Sequence, residues 1–138
     1  MTGEKKILVL LDPQSKELSA LHHALALAER IRARVIVLRI EPPKGKTALT
    51  GWMDKALFEI LTRARESGLA VSCNTFSRGS GEDVLGFVRE QGIDLLVMGE
   101  QERHWEKDVL RMNARMPAQI IRVKEKSELG AHAGKRRA

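Results

Sequence analysis

Long hydrophobic runs recur along the chain and predict its strands. Residues 7–11 are five consecutive aliphatic residues with no polar alternation, which is typical of a strand buried on both faces. Residues 35–40 and 93–99 repeat this pattern, and residues 119–124 predict a last strand after Pro117. Residues 69–76 include polar positions, so they predict a strand nearer the edge of the sheet.

Between these runs, apolar residues at three- and four-residue steps predict helices. The first helix carries Leu18, Leu21, Leu25 and Ala28, with Ala24 and Ile31 beside them. Further stripes occupy residues 49–64 and 84–88, and a short last helix is expected near residues 105–112.

Three further features of the sequence concern the helices: a cap, a terminating glycine and a pair of histidines. Ser15 can cap the first helix, and Gly68 suits the left-handed position that ends the second. His22 and His23 are adjacent in the first helix, where neighbouring side chains diverge by about 100°. We therefore expect one to pack and one to be solvated, with no shared metal site.

The alternation of strands and helices predicts an α/β fold with a parallel sheet covered on both faces. Ligands of such sheets bind beyond the carboxyl ends of the strands, where the strand order reverses. Asp12 follows the first strand directly and is the first candidate for a binding residue. The alternative is that residues 12–15 only form a turn into the helix cap.

Length and composition indicate one globular domain. The chain has 138 residues, and we find neither an apolar run of membrane-spanning length nor a signal peptide. Its single cysteine, Cys73, cannot form an internal disulfide, which fits a cytoplasmic protein. Cys73 lies in a predicted strand and is interpreted as structural rather than as a nucleophile.

The net charge of +6 is unevenly distributed. Lys124 to Ala138 contribute a net charge of +3, and the other 123 residues contribute the remaining +3. We therefore predict a mildly basic domain over residues 1–124 and a basic, disordered tail over residues 125–138. Without a helix of clustered Lys and Arg, we expect no nucleic-acid binding. The tail could contact an anionic partner.

Three segments together resemble the universal stress protein family. They are Lys6-Ile7-Leu8-Val9 with Asp12, then Asp94-Leu95-Leu96-Val97-Met98-Gly99, then Met116-Pro117-Ala118-Gln119-Ile120-Ile121-Arg122-Val123. The resemblance implies a three-layer α/β sandwich with a five-stranded parallel sheet of order 3-2-1-4-5, Rossmann-like and similar to adenine nucleotide alpha hydrolases. It implies a ligand at Asp12, Ile40 and Gly99, where strands one and four meet. It also implies a homodimer through the last strand, which carries Ile120, Ile121 and Val123.

The chain departs from the ATP-binding members of that family. Those members resemble one another in a segment G-x-x-G, nine residues, then G-[S/T], in which glycine amides and a hydroxyl hold phosphate. Here Gly99 is kept, but Glu102 stands at the second glycine. The last pair falls at Met112 and Asn113, or near Glu106 and Lys107 when counted back from Pro117. Neither alignment restores the motif.

An acidic cluster occupies the same segment. Glu100, Glu102, Glu106 and Asp108 would repel a triphosphate, although Arg103 and Lys107 partly offset them. Glu100, Glu102, His104 and Glu106 could in principle bind a divalent metal, but solvated surface charges are the preferred interpretation. His104 has no identifiable Ser or Cys nucleophile as a partner, so we do not expect an enzyme.

The sequence thus predicts a cytoplasmic, non-enzymatic stress-response or regulatory domain. We expect a homodimer that acts through protein contacts, with a protein partner that the sequence does not identify, without a cofactor and without ATP. The alternative is a sensor that binds AMP, ATP or another small molecule at Asp12, Ile40 and Gly99. A weak hydrolase or metal-dependent activity is a third, less favoured hypothesis.

Overall fold

The computed structural model describes residues 4–11, 18–40, 49–76, 81–99 and 115–124. Five strands and three helices follow one another in these ranges. They are β1 (Lys6–Leu11), α1 (Ser19–Ile31), β2 (Arg34–Ile40), α2 (Leu49–Glu66), β3 (Val71–Phe76), α3 (Gly81–Gln91), β4 (Leu95–Gly99) and β5 (Gln119–Val123). No helix of the described ranges is long and apolar enough to cross a membrane.

The strands form one parallel sheet of order β3-β2-β1-β4-β5, as predicted. β1 is the central strand, and Ile7 to Leu10 have no solvent exposure. The polar strand β3 lies at an edge, which confirms the interpretation of its mixed composition. β5 lies at the other edge.

The sheet separates two hydrophobic cores. On one face, Val9, Val35 and Val37 pack with α1 and α2, while Leu8, Leu38 and Leu96 face α3 on the other. This division follows from the period of two in a strand, because alternate side chains point to opposite faces. Both faces of the central strands are therefore covered, which explains their unbroken hydrophobic runs.

All three helices end with a residue in the left-handed region, and this device fixes where the next strand begins. Gly68 has φ 100° and Gly92 has φ 67°, whereas α1 ends at Arg32 with φ 58°. After Gly68, the Leu69 amide donates to the Ala64 carbonyl at 3.0 Å. This is the Schellman pattern, in which backbone amides beyond the helix satisfy its last carbonyls.

The same pattern explains two boundary errors. The strands predicted from residues 69 and 93 begin at Val71 and Leu95. Leu69 is committed to the end of α2, and the Ile93 amide donates to the Val88 carbonyl of α3 at 3.1 Å. Hydrophobic runs do not reveal this, because residues that close a helix are also apolar.

One prediction for α1 is wrong. His22 and His23 are both exposed, although one of them was expected to pack. The buried stripe stops at Ala28, and Ile31 is 40% exposed. α1 begins at Ser19 after Leu18, which provides no side-chain cap, and the predicted cap Ser15 lies outside the described residues.

Candidate functional site

The candidate site is the edge of the sheet at which the strands end. β2 lies on one side of β1, and β4 followed by β5 lies on the other, so the strand order reverses between β1 and β4. Ligands of parallel sheets bind beyond the strand ends at such a point. Leu11, the last residue of β1, is only 2% exposed, so the hydrophobic core extends to the end of this strand.

The structure brings Ile40 and Gly99 to this edge. Ile40 is the last residue of β2, is 6% exposed, and belongs to the core that faces α3. Gly99 is the buried last residue of β4 and pairs with Val123. Asp12 lies outside the described residues, as do the acidic residues between Glu100 and Asp108. The ligand-binding roles of Asp12, Ile40 and Gly99 therefore stay predictions.

A cation near the end of β2 is already neutralised. Arg39 is one residue before the end of the strand, and its Nη2 lies 2.6 Å from Asp54 Oδ1 on α2. The side chain of Arg39 is 19% exposed, so this ion pair is partly shielded from solvent. Because Asp54 occupies the guanidinium, Arg39 is poorly placed to receive a phosphate. The sequence signal was an arginine within an otherwise aliphatic strand.

Cys73 lies near the same ion pair. It pairs with Val37 on the neighbouring strand, and the residue is exposed with a free thiol. Although Cys73 is exposed, neighbouring protein atoms desolvate part of its thiol and raise its pKa, and the positive charges of Arg39 and Arg65 oppose that rise. A raised pKa leaves little thiolate at neutral pH, which does not suit a nucleophile. This agrees with the structural interpretation of Cys73.

At the opposite end of the sheet, Asp94 joins the two central strands. The Lys6 amide donates to Asp94 Oδ2 at 2.9 Å, and the Asp94 amide donates to the Lys6 carbonyl at 2.9 Å. Lys6 Nζ also donates to the Gln91 carbonyl at 2.9 Å. Asp94 therefore sets the register between β1 and β4. Sequence reasoning noted Asp94 only as part of a family segment and missed this role.

The three apolar residues proposed for a dimer lie on the edge strand β5. Ile120, Ile121 and Val123 are each half-buried, with Ile120 against the α3-side core and the other two against the α1-side core. The Gln119 amide donates to the Asp94 carbonyl at 3.0 Å, toward β4. Since backbone groups alternate in direction along a strand, the Ile120 amide is directed away from β4, to the side on which no described strand pairs with β5.

In the described ranges, the side chains that could bind a metal ion do not form a cluster. No group of three or more His, Cys, Asp or Glu residues in the described ranges is placed to hold an ion. The segment from Glu100 to Glu106, for which a metal was considered, lies outside those ranges. The metal-binding and enzymatic alternatives therefore stay hypotheses.

One described cavity is a groove that runs along α3 beside the end of β3, where Phe76 pairs with Ile40. Its volume is about 760 Å³. A smaller cavity of about 250 Å³ lies between α1 and α2. Phe76 and Phe87 meet edge to face in the larger groove, with ring centroids 5.8 Å apart. Neither cavity includes Ile40 or Gly99 among its described lining residues.

Comparison with known proteins identifies relatives of the same fold. The sequence model of the Universal stress protein family matches residues 4–114. A comparison with curated protein sequences found no match.

Three similar solved structures contain adenine nucleotides according to their descriptions. The universal stress protein from Archaeoglobus fulgidus in complex with dAMP is 19% identical and has a TM-score of 0.64, with 87% of this chain and 98% of that chain covered. A universal stress protein in complex with cAMP is 17% identical, with a TM-score of 0.64 and coverage of 91% and 100%. A family protein from Arabidopsis thaliana with AMP bound is 13% identical, with a TM-score of 0.58 and coverage of 90% and 94%. At these identities the likeness shows the fold.

Proposed function

The chain belongs to the universal stress protein family, and on that premise we propose that it is a non-enzymatic regulatory domain that works as a homodimer and does not hold ATP. The single observation that carries the dimer is the condition of β5. It is an edge strand of the sheet, yet its apolar residues lie on both faces and are only half-buried. We place this dimer in the cytoplasm, where a chain with one cysteine needs no disulfide.

Pairing of β5 with a second copy would satisfy its open edge. An exposed edge strand is an aggregation hazard that proteins shorten, charge or cover. Antiparallel pairing about a two-fold axis is self-complementary and closes after two copies, so it does not lead to fibres. Such pairing would also remove more of Ile120, Ile121 and Val123 from water.

The dimer is tested by Ile120→Pro. Proline removes the amide that is directed to the open edge, whereas an equivalent change at Ile121 would break the ladder with β4 inside one copy. Light scattering at about 100 µM is expected to show a dimer for the parent and a monomer for the variant. Ile120→Val is the control for altered packing and should stay dimeric.

Two observations support the proposal that the chain does not bind ATP: the residue at a motif position and the local charge. Glu102 stands where ATP-binding relatives have a glycine, and four acids occur between Glu100 and Asp108. Arg39, the cation described at the end of β2, is held by Asp54. A triphosphate would therefore meet repulsion without a free guanidinium from β2 to offset it.

The second candidate is an adenine mononucleotide sensor. It is favoured by the relatives described with dAMP, cAMP and AMP. A mononucleotide carries less negative charge than ATP, so the acids oppose it less. Mass spectrometry of the denatured protein, purified without added nucleotide, separates the candidates. Stoichiometric AMP or adenosine would favour the sensor, and no bound nucleotide would favour the protein-contact domain.

A further inference from the structure

A groove along α3 combines an aromatic floor with a rim that is mostly acidic. We call it the acidic groove, and its described lining residues are Phe76, Glu82, Asp83, Gly86, Phe87, Arg89 and Glu90. Three carboxylates and one guanidinium give this surface a net negative charge, on a chain whose overall charge is +6. The acidic groove is therefore a local exception to the electrostatics of the protein.

Gly86 keeps the groove open. It lies inside α3, where glycine is a poor helix former, and a Cβ built there meets nothing within 4 Å. Neither packing nor backbone conformation requires glycine at this position. The missing side chain leaves an unobstructed approach to the helix backbone beside Phe87, as a binding surface needs.

The described ion pair at Glu82 leaves this carboxylate of the groove accessible. Glu82 accepts from Arg115 at 3.2 and 3.4 Å, but the two side chains are 68% and 52% exposed. Such exposed pairs are weak and exchange readily with other partners. An incoming cation can share or replace Arg115 without a buried charge being left behind.

The chain itself supplies a cationic segment of matching charge. Lys135-Arg136-Arg137 is the densest group of positive charges near its end, and it is connected to the domain through Lys124. We propose that the acidic groove is the docking surface for this basic end of the same chain. Arginine is well suited to such a surface, because it can pair with carboxylates and stack on aromatic rings.

The geometry of the sheet permits this contact. β5 and β3 are parallel, so Val123 and Phe76 lie at the same end of the sheet. Four strand spacings separate β5 from β3, a span of about 19 Å. Lys135 follows Lys124 by eleven residues. A linker of that length has a root-mean-square span of about 18 Å, which is comparable to the spacing of the two strands.

Tethering makes even a weak contact significant. When a linker's typical span matches the distance between two sites, its effective concentration is in the millimolar range, so a contact of millimolar affinity is substantially occupied. Because the attraction is between exposed charges, it should weaken when salt shortens the screening length. The contact is thus expected to be reversible and sensitive to ionic strength.

Paramagnetic NMR on the full chain tests the proposal. A nitroxide is attached to Ala138→Cys in a Cys73→Ser background, and amide intensities are compared with those of the reduced label. At 20 mM NaCl, the signals of Glu82, Gly86 and Glu90 are expected to lose at least half of their intensity. Phe58, on α2 across the sheet, should keep its intensity, and 500 mM NaCl should remove the α3 effect.

Charge-swap variants make the test specific. Changing Lys135, Arg136 and Arg137 to Glu should abolish the α3 broadening, and adding Glu82→Lys with Glu90→Lys should bring it back. Gly86→Trp should abolish it by filling the groove, while the control Gly86→Ala retains it. The tail variant keeps the test informative even if Gly86→Trp fails to fold.

Three results would overturn the proposal. The first is equal broadening on both faces of the sheet, and the second is α3 broadening that persists after charge reversal of the tail. The third is α3 broadening of unlabelled ¹⁵N copies when they are mixed with spin-labelled unenriched copies, because the tail would then occupy the groove of a second copy.

Discussion

Leu96→Ala is the sharpest test of the described core. Leu96 lies on β4 with no solvent exposure, next to the central strand, where it pairs with Leu8 and packs toward α3. The change removes three carbon atoms, worth roughly 2.4 kcal/mol at about 0.8 kcal/mol per buried methylene. A residual cavity adds to this loss, so we expect a total of about 3–4 kcal/mol, within the range measured for buried leucines.

Urea unfolding followed by circular dichroism measures this loss. For a chain of this size, 3 kcal/mol corresponds to a fall in Tm of about 10 °C. The matched control is Phe58→Ala on α2, because Phe58 is 68% exposed and its truncation should cost less than about 0.5 kcal/mol. A loss below about 1 kcal/mol for Leu96→Ala would refute the position of β4 inside the sheet, next to β1.

Three further predictions concern local interactions. Asp94→Ala removes the carboxylate that accepts from the Lys6 amide and should lower the free energy of unfolding by about 1–2 kcal/mol, with Glu90→Ala as a near-neutral control in urea unfolding. Arg32→Gly relieves a left-handed arginine and should raise that free energy by up to about 1 kcal/mol, whereas any loss in the same assay would contradict the assigned φ. Because burial raises the pKa of Cys73, the midpoint of its alkylation by iodoacetamide should lie above that of the same thiol in the urea-unfolded protein, and an equal or lower midpoint would contradict the environment described.

Much of the fold was predictable because its central strands are buried on both faces. The uninterrupted hydrophobic runs around Val9, Val37 and Val97 exclude a sheet with one solvent-exposed face. This restricts the architecture to a sheet with helices on both sides. The polar content of β3 correctly placed it at an edge. The strand order came from the family resemblance, and the sheet pairing confirms it.

The details that the sequence left open depend on contacts between distant residues. The start of β4 is displaced because Ile93 closes α3, and the register of β1 and β4 depends on the distant pair Lys6 and Asp94. The Arg39–Asp54 ion pair likewise joins a strand to a helix. Periodicity describes one element at a time, so it cannot reveal such pairs.

The sequence predicted where the candidate residues lie in the sheet, but not their surroundings. Ile40 and Gly99 do lie at the carboxyl ends of strands on either side of β1, because the carboxyl ends of parallel strands meet at one edge. Their exposure could not be predicted, and both prove to be buried. The acidic groove was missed because its residues come from β3 and α3, and only Gly86 within an amphipathic helix signalled it.

Titration of ATP with magnesium, followed by thermal unfolding, tests the central claim most directly. Binding at a hundredfold excess over Kd would stabilise the protein by roughly 2.7 kcal/mol. That gain corresponds to an increase in Tm of about 9 °C for a chain of this length. We predict no change in Tm at 5 mM ATP, and an increase of several degrees would contradict a domain that does not hold ATP.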